Sequence, residues 1–442
     1  MLKALRLVPV AAGLMVAGAI LLNVSAVSKP HKQHASKRTT FEQRLFKKGR
    51  KVFRFNTFGD QAFWGDALQL HKAIAGSRNG GVGPGLSPKN ALAAGLKVDA
   101  KALPRAVVKA IKKGKVNLNS PATTLALLKL NAVVGVKGFF SRKGTLRSVG
   151  LTCAVCHSTV DDSFAPGIGK RLDGWANRDL NVGAIVSLAP NLKPITDLLG
   201  ADEATVKKVL ASWGPGKFDA KLFLDGKAFM PDGRSAATLI PSAYGLTGVN
   251  LATYTGFGQM TYWNAFVANL ELHGQGNFFD ERLNDANKFP VAARAGFGNV
   301  RHSPDLVTPH LGALQYYQQG LKPPKPPKGS FNKAGAKRGK AIFDGKGKCA
   351  GCHVPPTFSE PGNNLHSPAD ICTDSFEADR SPTGMYRTTP LRGLWARAKG
   401  GFWHDGRFPT LGAVVDHYNS CFGLNLTTRE RSDLVQYLKS IH

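Results

Sequence analysis

The chain has 442 residues, about three times the length of a typical domain, so two or three domains are expected. Hydrophobic residues make up 43% and charged residues 20% of the sequence, which excludes a generally disordered protein. The 59 Lys and Arg residues against 29 Asp and Glu residues give a formal net charge of +30. The basic runs lack interleaved aromatic side chains, which argues against nucleic acid as a partner. A field of this sign favours acidic protein partners or anionic surfaces, or serves solubility alone.

The first 26 residues are typical of an export signal. Lys3 and Arg6 form a positive start, Leu7 to Leu22 is uncharged and largely apolar, and Val24-Ser25-Ala26 offers small residues at the usual cleavage spacing. An uncleaved anchor is the alternative, but the apolar stretch is shorter than the roughly 20 residues of a spanning helix. We therefore expect a periplasmic or secreted protein with no stable membrane span after cleavage. Residues 27–50, rich in Lys, His and Ser, predict a basic flexible arm.

Four of the six cysteines form two copies of one pattern, Cys153-Ala-Val-Cys156-His157 and Cys349-Ala-Gly-Cys352-His353. Cys-x-x-Cys-His is the attachment site of c-type haem, in which the thiols bind the haem and the adjacent His binds the iron. A single copy could be a redox pair or a zinc site. Two copies, each ending in His, behind an export signal, predict two covalently attached haems with His157 and His353 as proximal ligands. A structural calcium ion is a further candidate cofactor.

Residues 51–150 predict an N-terminal helical extension that packs on the first haem domain. Leu103 to Lys113 has apolar residues at helical spacing and ends at a glycine, which favours an amphipathic helix. Leu125 to Phe140 is apolar, so we expect it to be buried against the first haem. Residues 151–320 are predicted as the first, catalytic, cytochrome c-like domain, with long loops rich in Gly, Asn and Pro.

Residues 321–330 are a proline-rich linker that favours extended polyproline II. Residues 331–442 then predict a second, electron-transfer cytochrome c domain. A helix near its start would present Gly335 and Gly339 at a close crossing, and Thr427-Thr-Arg-Glu430 is a capping box for the last helix. The predicted fold class is mainly α, with two cytochrome c-like haem domains, long loops and the extra N-terminal helical region.

The two remaining cysteines, Cys372 and Cys421, both lie in the second domain. Because an exported protein meets an oxidising environment, we expect a disulfide bond between them. Two free buried thiols are the alternative, and sequence spacing alone does not decide between the two states.

The second domain carries three motifs in a characteristic order. They are Tyr386-Arg-Thr-Thr-Pro-Leu-Arg-Gly-Leu-Trp395, Phe402-Trp-His-Asp-Gly-Arg-Phe-Pro-Thr-Leu411 and Val414-Val-Asp-His-Tyr418. With these motifs the chain resembles the bacterial di-haem cytochrome c peroxidase superfamily, which includes the MauG branch and, more distantly, rubber oxygenase. The resemblance is strong over the second domain and looser over residues 151–300. It does not explain the N-terminal extension.

The resemblance implies an oxidoreductase, a probable haem peroxidase or oxidase, that uses peroxide or dioxygen at the first haem. The second haem would relay electrons from an acidic donor, a small cytochrome or cupredoxin, or from a protein substrate. Peroxidases of this family carry a blocking His after their Gly-Ile-Gly-like segment, whereas this chain has Lys170 there. We expect an open first haem, with His71 or Lys170 itself as alternative ligands.

Two further roles are assigned within the first domain. Glu271 or His273 is the candidate acid or base at the first haem, because peroxide cleavage needs a side chain that moves a proton. Trp263 is the candidate electron relay. The alternatives are ordinary loop residues in the first case and a buried core residue in the second.

Tyr418 is the leading candidate for the sixth ligand of the second haem. It lies fourteen residues after His404, at the position of the ligand Met in the resembling peroxidases and of a Tyr in the MauG branch. His404 is the rival, as in rubber oxygenase, and His417 is a weaker third candidate. Two other functions stay open, a di-haem electron carrier without turnover and a rubber-oxygenase-like dioxygenase.

Overall fold

Helices supply most of the regular structure in residues 40–442, which is the part of the chain that the computed structural model describes. The predicted export signal and residues 27–39 of the predicted arm lie outside the described residues. The α-helices are α1 (Thr40–Phe55), α2 (Leu70–Ala75), α3 (Pro88–Ala93), α4 (Arg105–Lys112), α5 (Pro121–Lys129), α6 (Ala154–His157), α7 (Val182–Val186), α8 (Lys193–Leu199), α9 (Glu203–Trp213), α10 (Leu222–Asp225), α11 (Met260–Phe266), α12 (Pro290–Ala295), α13 (Thr308–Gln319), α14 (Lys333–Asp344), α15 (Phe376–Asp379), α16 (Leu411–Cys421) and α17 (Thr428–Ser440).

Short strands pair only two at a time within the described residues. They are β1 (Val98–Asp99), β2 (Val136–Phe140), β3 (Leu146–Leu151), β4 (Ser158–Val160), β5 (Ile168–Gly169), β6 (Arg171–Asp173), β7 (Lys217–Phe218), β8 (Thr238–Leu239), β9 (Phe278–Phe279) and β10 (Asn299–Val300). β1 pairs with β5 in parallel, while β2 with β3, β4 with β6, β7 with β8, and β9 with β10 are antiparallel. The chain is helix-rich, as predicted, and no helix of residues 40–442 is long and apolar enough to cross a membrane.

The predicted flexible arm is wrong for residues 40–50, which belong to α1. Gly49, Val52 and Phe53 are buried on one side of this helix. A Cβ atom at Gly49 would lie 1.9 Å from the carbonyl oxygen of Ala313, so α1 crosses α13 too closely for any larger residue. The dense Lys and Arg residues conceal this narrow apolar stripe in the sequence.

The N-terminal extension is only partly helical. The predicted amphipathic helix is present as α4, two residues shorter at its start and one at its end. The segment after α5, however, forms an antiparallel hairpin in which Val136 lies opposite Leu151. Leu127 and Leu128 of α5 pack with buried residues of that hairpin in one hydrophobic cluster. The extension therefore combines helices with one β-hairpin, because cross-strand packing decides the conformation of this apolar stretch.

The second domain begins and ends with two helices that cross. A Cβ atom at Gly339 of α14 would lie 2.0 Å from the carbonyl oxygen of Asp433 in α17. The close crossing predicted from the glycine spacing is therefore confirmed. The predicted capping box is also present, since the Thr427 side chain accepts from the backbone of Glu430 and the Glu430 side chain accepts from that of Thr427.

The predicted disulfide is confirmed, because Cys372 and Cys421 are bonded, with their Cα atoms 6.4 Å apart. This bond ties an irregular segment to the end of α16. Irregular segments are extensive in the chain, as predicted, and the linker at residues 321–327 has no regular structure.

Buried ion pairs join the two predicted domains. Arg380 of the second domain is 1% exposed, and its Nε lies 2.7 Å from Asp225 Oδ2 while its Nη2 lies 3.0 Å from Asp219 Oδ1. Beside it, Lys221 pairs with Glu377, and its Nζ also donates to the Glu377 carbonyl oxygen at 3.0 Å. The two halves are therefore held by direct contact and not by the linker alone.

Candidate functional site

Both Cys-x-x-Cys-His motifs hold their histidine in the same way. Nδ1 of His157 lies 3.0 Å from the carbonyl oxygen of Pro241, and Nδ1 of His353 lies 3.0 Å from that of Phe358. A carbonyl oxygen only accepts, so each Nδ1 carries the proton and each Nε2 keeps its lone pair. Histidines that bind metals are commonly oriented by such a backbone contact. Each ring is therefore prepared to ligate through Nε2.

The four cysteines of the two motifs are not in disulfide bonds. Burial raises the pKa of Cys153 and of Cys156 to about 12, and that of Cys349 to about 11. Redox pairs use thiolates, which require a lowered pKa. The environment of these thiols therefore does not favour the alternative redox interpretation.

Two buried carboxyl groups lie beside the first motif. Glu271 is 7% exposed, its Oε2 has no hydrogen-bond partner among the described residues, and its charge acts on Cys156. Asp60 is 0% exposed; it accepts from the Leu151 backbone at 3.0 Å through Oδ2, while Oδ1 has no partner in residues 40–442. Burial raises the pKa of both carboxyl groups well above its ordinary value. Asp60 was missed from the sequence because it lies in the extension, outside any motif.

Two π-helical turns meet at this place. One spans Ala62–Ala67 in the extension, and the other spans Val267–Glu271 and ends on the candidate carboxyl residue. The ring of Phe63 stacks on His273 with centroids 3.7 Å apart, and Trp64 Nε1 donates to the Leu272 carbonyl oxygen at 3.0 Å. π-Helical turns often mark functional sites. The extension therefore covers the segment that carries Glu271 and His273.

The imidazole of His273 is neutral in this environment. Burial lowers its pKa to about 4. Its backbone has a φ of +57°, a conformation that is uncommon outside glycine. The structure thus brings Glu271 and His273 together at one covered segment, as the sequence suggested.

Lys170 lies at the far end of the β4–β6 hairpin from His157, and His71 lies in the N-terminal extension. The backbone of Lys170 pairs with Asp161, whereas Gly174 pairs with His157 at the other end of the hairpin. Four residues of strand separate the two positions, or about 13 Å at 3.3 Å per residue. The Lys170 side chain is exposed. His71 lies on α2, where its Nδ1 is 2.9 Å from the Gly65 carbonyl oxygen.

Trp263 packs inside its own domain. Its ring lies 4.6 Å from Phe257 and 4.9 Å from Phe266, and its Nε1 has no hydrogen-bond partner in the described part of the chain. Two aromatic contacts cross between the domains instead: Trp175 lies 5.3 Å from Trp395, and Tyr254 lies 6.3 Å from His404, centroid to centroid. Trp395 ends the first of the three motifs, but nothing in the sequence pointed to Trp175 as its partner, because the Trp175–Trp395 contact forms only when the two halves pack together.

Three arginines without a carboxylate partner within residues 40–442 lie near the same interface. Arg178 of the first domain is buried, and Arg387 and Arg397 of the second domain are half-buried; Arg397 already donates to the carbonyl oxygens of Pro390 and Arg392. Burial and the neighbouring Arg397 lower the pKa of Arg387 to about 10. Unpaired buried charge is costly. The carboxylates of a haem would supply the counter-charge, so these residues fit the cofactor that the two motifs predict.

Tyr418 approaches the second motif. Burial raises the pKa of its hydroxyl, and the nearby thiols of Cys352 and Cys349 raise it further. His404 is buried elsewhere, stacked on Tyr386 at 5.4 Å and with its backbone carbonyl accepting from Leu239 of the first domain.

Two other histidines of the second domain, His417 and His366, already make polar contacts. His417 places Nε2 2.8 Å from the Cys372 carbonyl oxygen. Cys352, Glu360 and His366 form the one cluster of three metal-binding side chains found in the described residues. It offers a single carboxylate, so it does not fit calcium, which prefers six to eight oxygen ligands.

Glu271→Gln tests the buried carboxyl through the pH dependence of stability. The pKa of Glu271 is raised in the folded state, so its proton is lost more readily on unfolding once the pH exceeds the ordinary value of 4.5. The variant should therefore gain stability over the wild type as pH rises, by about 1.4 kcal/mol per unit until Glu271 ionises in the folded protein. The measurement is the guanidinium unfolding midpoint of the holoprotein at pH 4, 5.5 and 7.

Glu281→Gln is the matched control, because Glu281 is exposed. It should show no pH-dependent gain. A constant difference between Glu271→Gln and the wild type over this range would contradict the buried, protonated carboxyl.

No protein-family model matches the chain. Among curated proteins, the methylamine utilization protein MauG of Methylorubrum extorquens is 35% identical over 125 residues. This alignment covers 24% of the chain and 35% of MauG, so the chain matches about a third of that relative's length.

Two solved structures each match 50% of the chain at 18% identity. One is a MauG-like protein associated with microbial copper homeostasis, of which 81% is covered with a TM-score of 0.32. The other is the hydrazine synthase of Kuenenia stuttgartiensis, of which 86% is covered with a TM-score of 0.26. TM-scores this low do not establish a shared fold. The informative comparison is the sequence identity with MauG. The predicted resemblance of the chain to the bacterial di-haem cytochrome c peroxidase and MauG superfamily is therefore confirmed.

Proposed function

We propose that the chain is a di-haem c-type oxidoreductase that uses peroxide or dioxygen at the His157 site and receives electrons through the His353 site. The observation that carries this proposal is the asymmetry between two similarly prepared histidines. Both donate Nδ1 to a backbone carbonyl, but the buried and unpartnered Glu271 carboxyl lies beside the first motif. Such an asymmetry favours chemistry at one site and electron transfer at the other.

The residues that would hold the haems are the two motifs and the unpaired arginines. Cys153 and Cys156 would bind the first haem, and Cys349 and Cys352 the second. Arg178, Arg387 and Arg397, described above, would bind haem carboxylates. When bound, the haem iron supplies one-electron redox chemistry and a position for peroxide or dioxygen.

The protein's contribution at the first site is proton control. Peroxide cleavage requires a proton to move from the inner to the outer oxygen, and a carboxyl whose pKa is raised by burial can hold that proton. Glu271 Oε2 has no competing hydrogen bond among the described residues, so this carboxyl is the group that would hold the proton, while burial keeps His273 neutral by lowering its pKa to about 4. Phe63 and Trp64 cover this segment and exclude water from it.

The proposed partner is an acidic electron-donor protein, a small cytochrome or cupredoxin, or an acidic protein substrate. The formal charge of +30 supports a partner of opposite sign. The proposed location is the periplasm or the extracellular space, supported by the export signal in the sequence.

The proposed function is tested on the holoprotein. Intact mass should show two haems per chain, and the resting ferric protein should have a high-spin electron paramagnetic resonance signal that cyanide changes. Glu271→Gln should lower peroxide turnover by about a hundredfold or more without changing haem content, whereas Glu281→Gln should not.

Other outcomes support the alternative functions. A mass with fewer than two haems contradicts the proposal outright. Two low-spin signals that ignore cyanide indicate an electron carrier. Oxidative cleavage of an apolar polymer by dioxygen, with peroxide excluded, indicates a rubber-oxygenase-like enzyme.

The sixth ligand of the second haem is proposed to be Tyr418. Tyr418→Phe should convert the second haem to a high-spin signal, because a phenyl ring offers no ligand atom. His404→Ala should leave that signal unchanged, because His404 packs against Tyr386. If His404→Ala alone has the effect, the ligand is His404; if neither variant has it, both assignments are wrong.

Electron transfer between the haems is proposed to use Trp175. Trp175→Phe should slow reduction of the first haem by the second, measured by stopped-flow spectroscopy, because Trp175 makes the shorter of the two aromatic contacts across the interface. Trp263→Phe is the matched control, since that ring packs within its own domain. If only Trp263→Phe slows electron transfer between the haems, the relay is Trp263, as the sequence predicts.

A further inference from the structure

A concave surface rich in positive charge lies on the first half of the chain. It is an open groove of about 480 Å³ between α1, the turn after β1, and the segment that joins β5 to β6. Seven Lys and Arg side chains line it, and Asp99 is the one carboxylate among its described lining residues. We refer to this surface as the basic groove.

Four of the cations share one face of α1. Lys47, Arg50, Lys51 and Arg54 are spaced at i, i+3, i+4 and i+7, which places them side by side on a helix. Like charges four residues apart destabilise a helix by about 0.2–0.5 kcal/mol per pair. Two such pairs, Lys47 with Lys51 and Arg50 with Arg54, lie on this face of α1. The buried residues that pack the helix against the protein lie on its opposite face.

The other cations arrive from separate parts of the chain. Lys101 follows β1, and Lys170 and Arg171 follow β5. The parallel pairing of β1 with β5, in which Asp99 lies opposite Gly169, fixes these segments next to each other. The convergence of three segments distinguishes the groove from the solvated face of a single basic helix.

Arg171 is the polar group at the base of the groove. Its side chain is 3% exposed, and its Nε lies 3.1 Å from Asp99 Oδ2. Its Nη1 has no hydrogen-bond partner among the residues that the structure describes. The buried guanidinium therefore places a fixed positive charge beneath the groove, where it favours phosphate and carboxylate groups.

The basic groove is distinct from the first haem site. Val52 and Phe53 of α1 pack in the cluster that includes Cys153, while the groove lies on the other face of the helix. Arg54 reaches from the groove to Asp173, at 2.6 Å, and Asp173 in turn accepts from Ser158, the residue after His157. The groove therefore adjoins the haem-binding segment without being part of it.

We infer that the basic groove binds a small, multiply charged oxyanion of the phosphate class. Its volume suits a small ligand, and its concave shape fits a small molecule better than it fits the flat surface of a protein partner. The arginine forks supply directed hydrogen bonds, and the lysines supply charge. The two sources of this chemistry are a soluble oxyanion and the headgroup of an anionic lipid.

The test is calorimetric titration of the holoprotein with pyrophosphate in phosphate-free buffer. We expect one site per chain. Lys47→Gln, Lys51→Gln and Lys170→Gln combined should weaken binding by about tenfold or more, because each removes a charged donor. The matched control is Lys109→Gln, Lys113→Gln and Lys115→Gln combined.

The control removes the same charge from an exposed basic segment, so it separates a site from general attraction. The control variant should change the affinity for pyrophosphate by no more than about twofold. The groove variant should change it by about tenfold, which corresponds to about 1.4 kcal/mol of binding free energy. Equal weakening by both triple variants, or titration without a defined stoichiometry, overturns the inference. The readout is binding, so the result does not depend on whether the proposed oxidoreductase activity is correct.

A second arm distinguishes the sources. Co-sedimentation with phosphatidylglycerol vesicles, lost in the groove variant but not in the control, assigns the site to a lipid headgroup. Pyrophosphate binding without co-sedimentation assigns it to a soluble oxyanion. Binding of a polyglutamate peptide with no binding of pyrophosphate contradicts a small-oxyanion site.

Discussion

The burial of Arg380 between two aspartates is the constraint on which the relation of the two halves depends. A charge that is 1% exposed is tolerated only with partners, and Asp219 and Asp225 come from the other half of the chain. Separating the halves would leave three charged groups without their counterparts, so one relative position is favoured. Trp175 and Trp395 meet in that position, and the unpaired arginines lie near the same interface. Electron transfer and cofactor binding are thus proposed for a surface that exists only in the packed protein.

The N-terminal extension has a function in this arrangement that the family resemblance does not supply. It contributes Phe63 and Trp64 over the Glu271–His273 segment, and it adds Asp60 as a second buried carboxyl. Burial is the common cause of the raised pKa of both carboxyl groups. The covering by the extension therefore makes the first site drier, and a carboxyl in such a place holds its proton more tightly than an exposed carboxyl does. α1, which joins the end of the predicted arm to the start of the extension, forms a wall of the basic groove next to this cover.

The two haem motifs show how one local pattern serves two environments. In each, a backbone carbonyl holds the proximal histidine through Nδ1, which is a short-range consequence of the chain that follows the motif. The surroundings differ: a buried carboxyl lies beside the first motif, whereas Tyr418 from α16 approaches the second. Fixed ligands on both sides of an iron suit electron transfer, and an open side with a proton source suits oxidation chemistry.

The sequence by itself determined the features that depend on neighbouring residues. Both attachment motifs, the capping box at Thr427 and the glycine crossing at Gly339 follow from short spacings, because covalent attachment, capping and close approach each need particular residues at fixed separations. Tertiary structure decided what depends on distant segments. The helix at residues 40–50, the hairpin after α5, the position of Lys170 away from His157 and the Trp175–Trp395 contact are set by packing between parts of the chain far apart in sequence. Local composition does not encode such partners, and this is why a lysine-rich segment could be predicted as a flexible arm and yet form a packed helix.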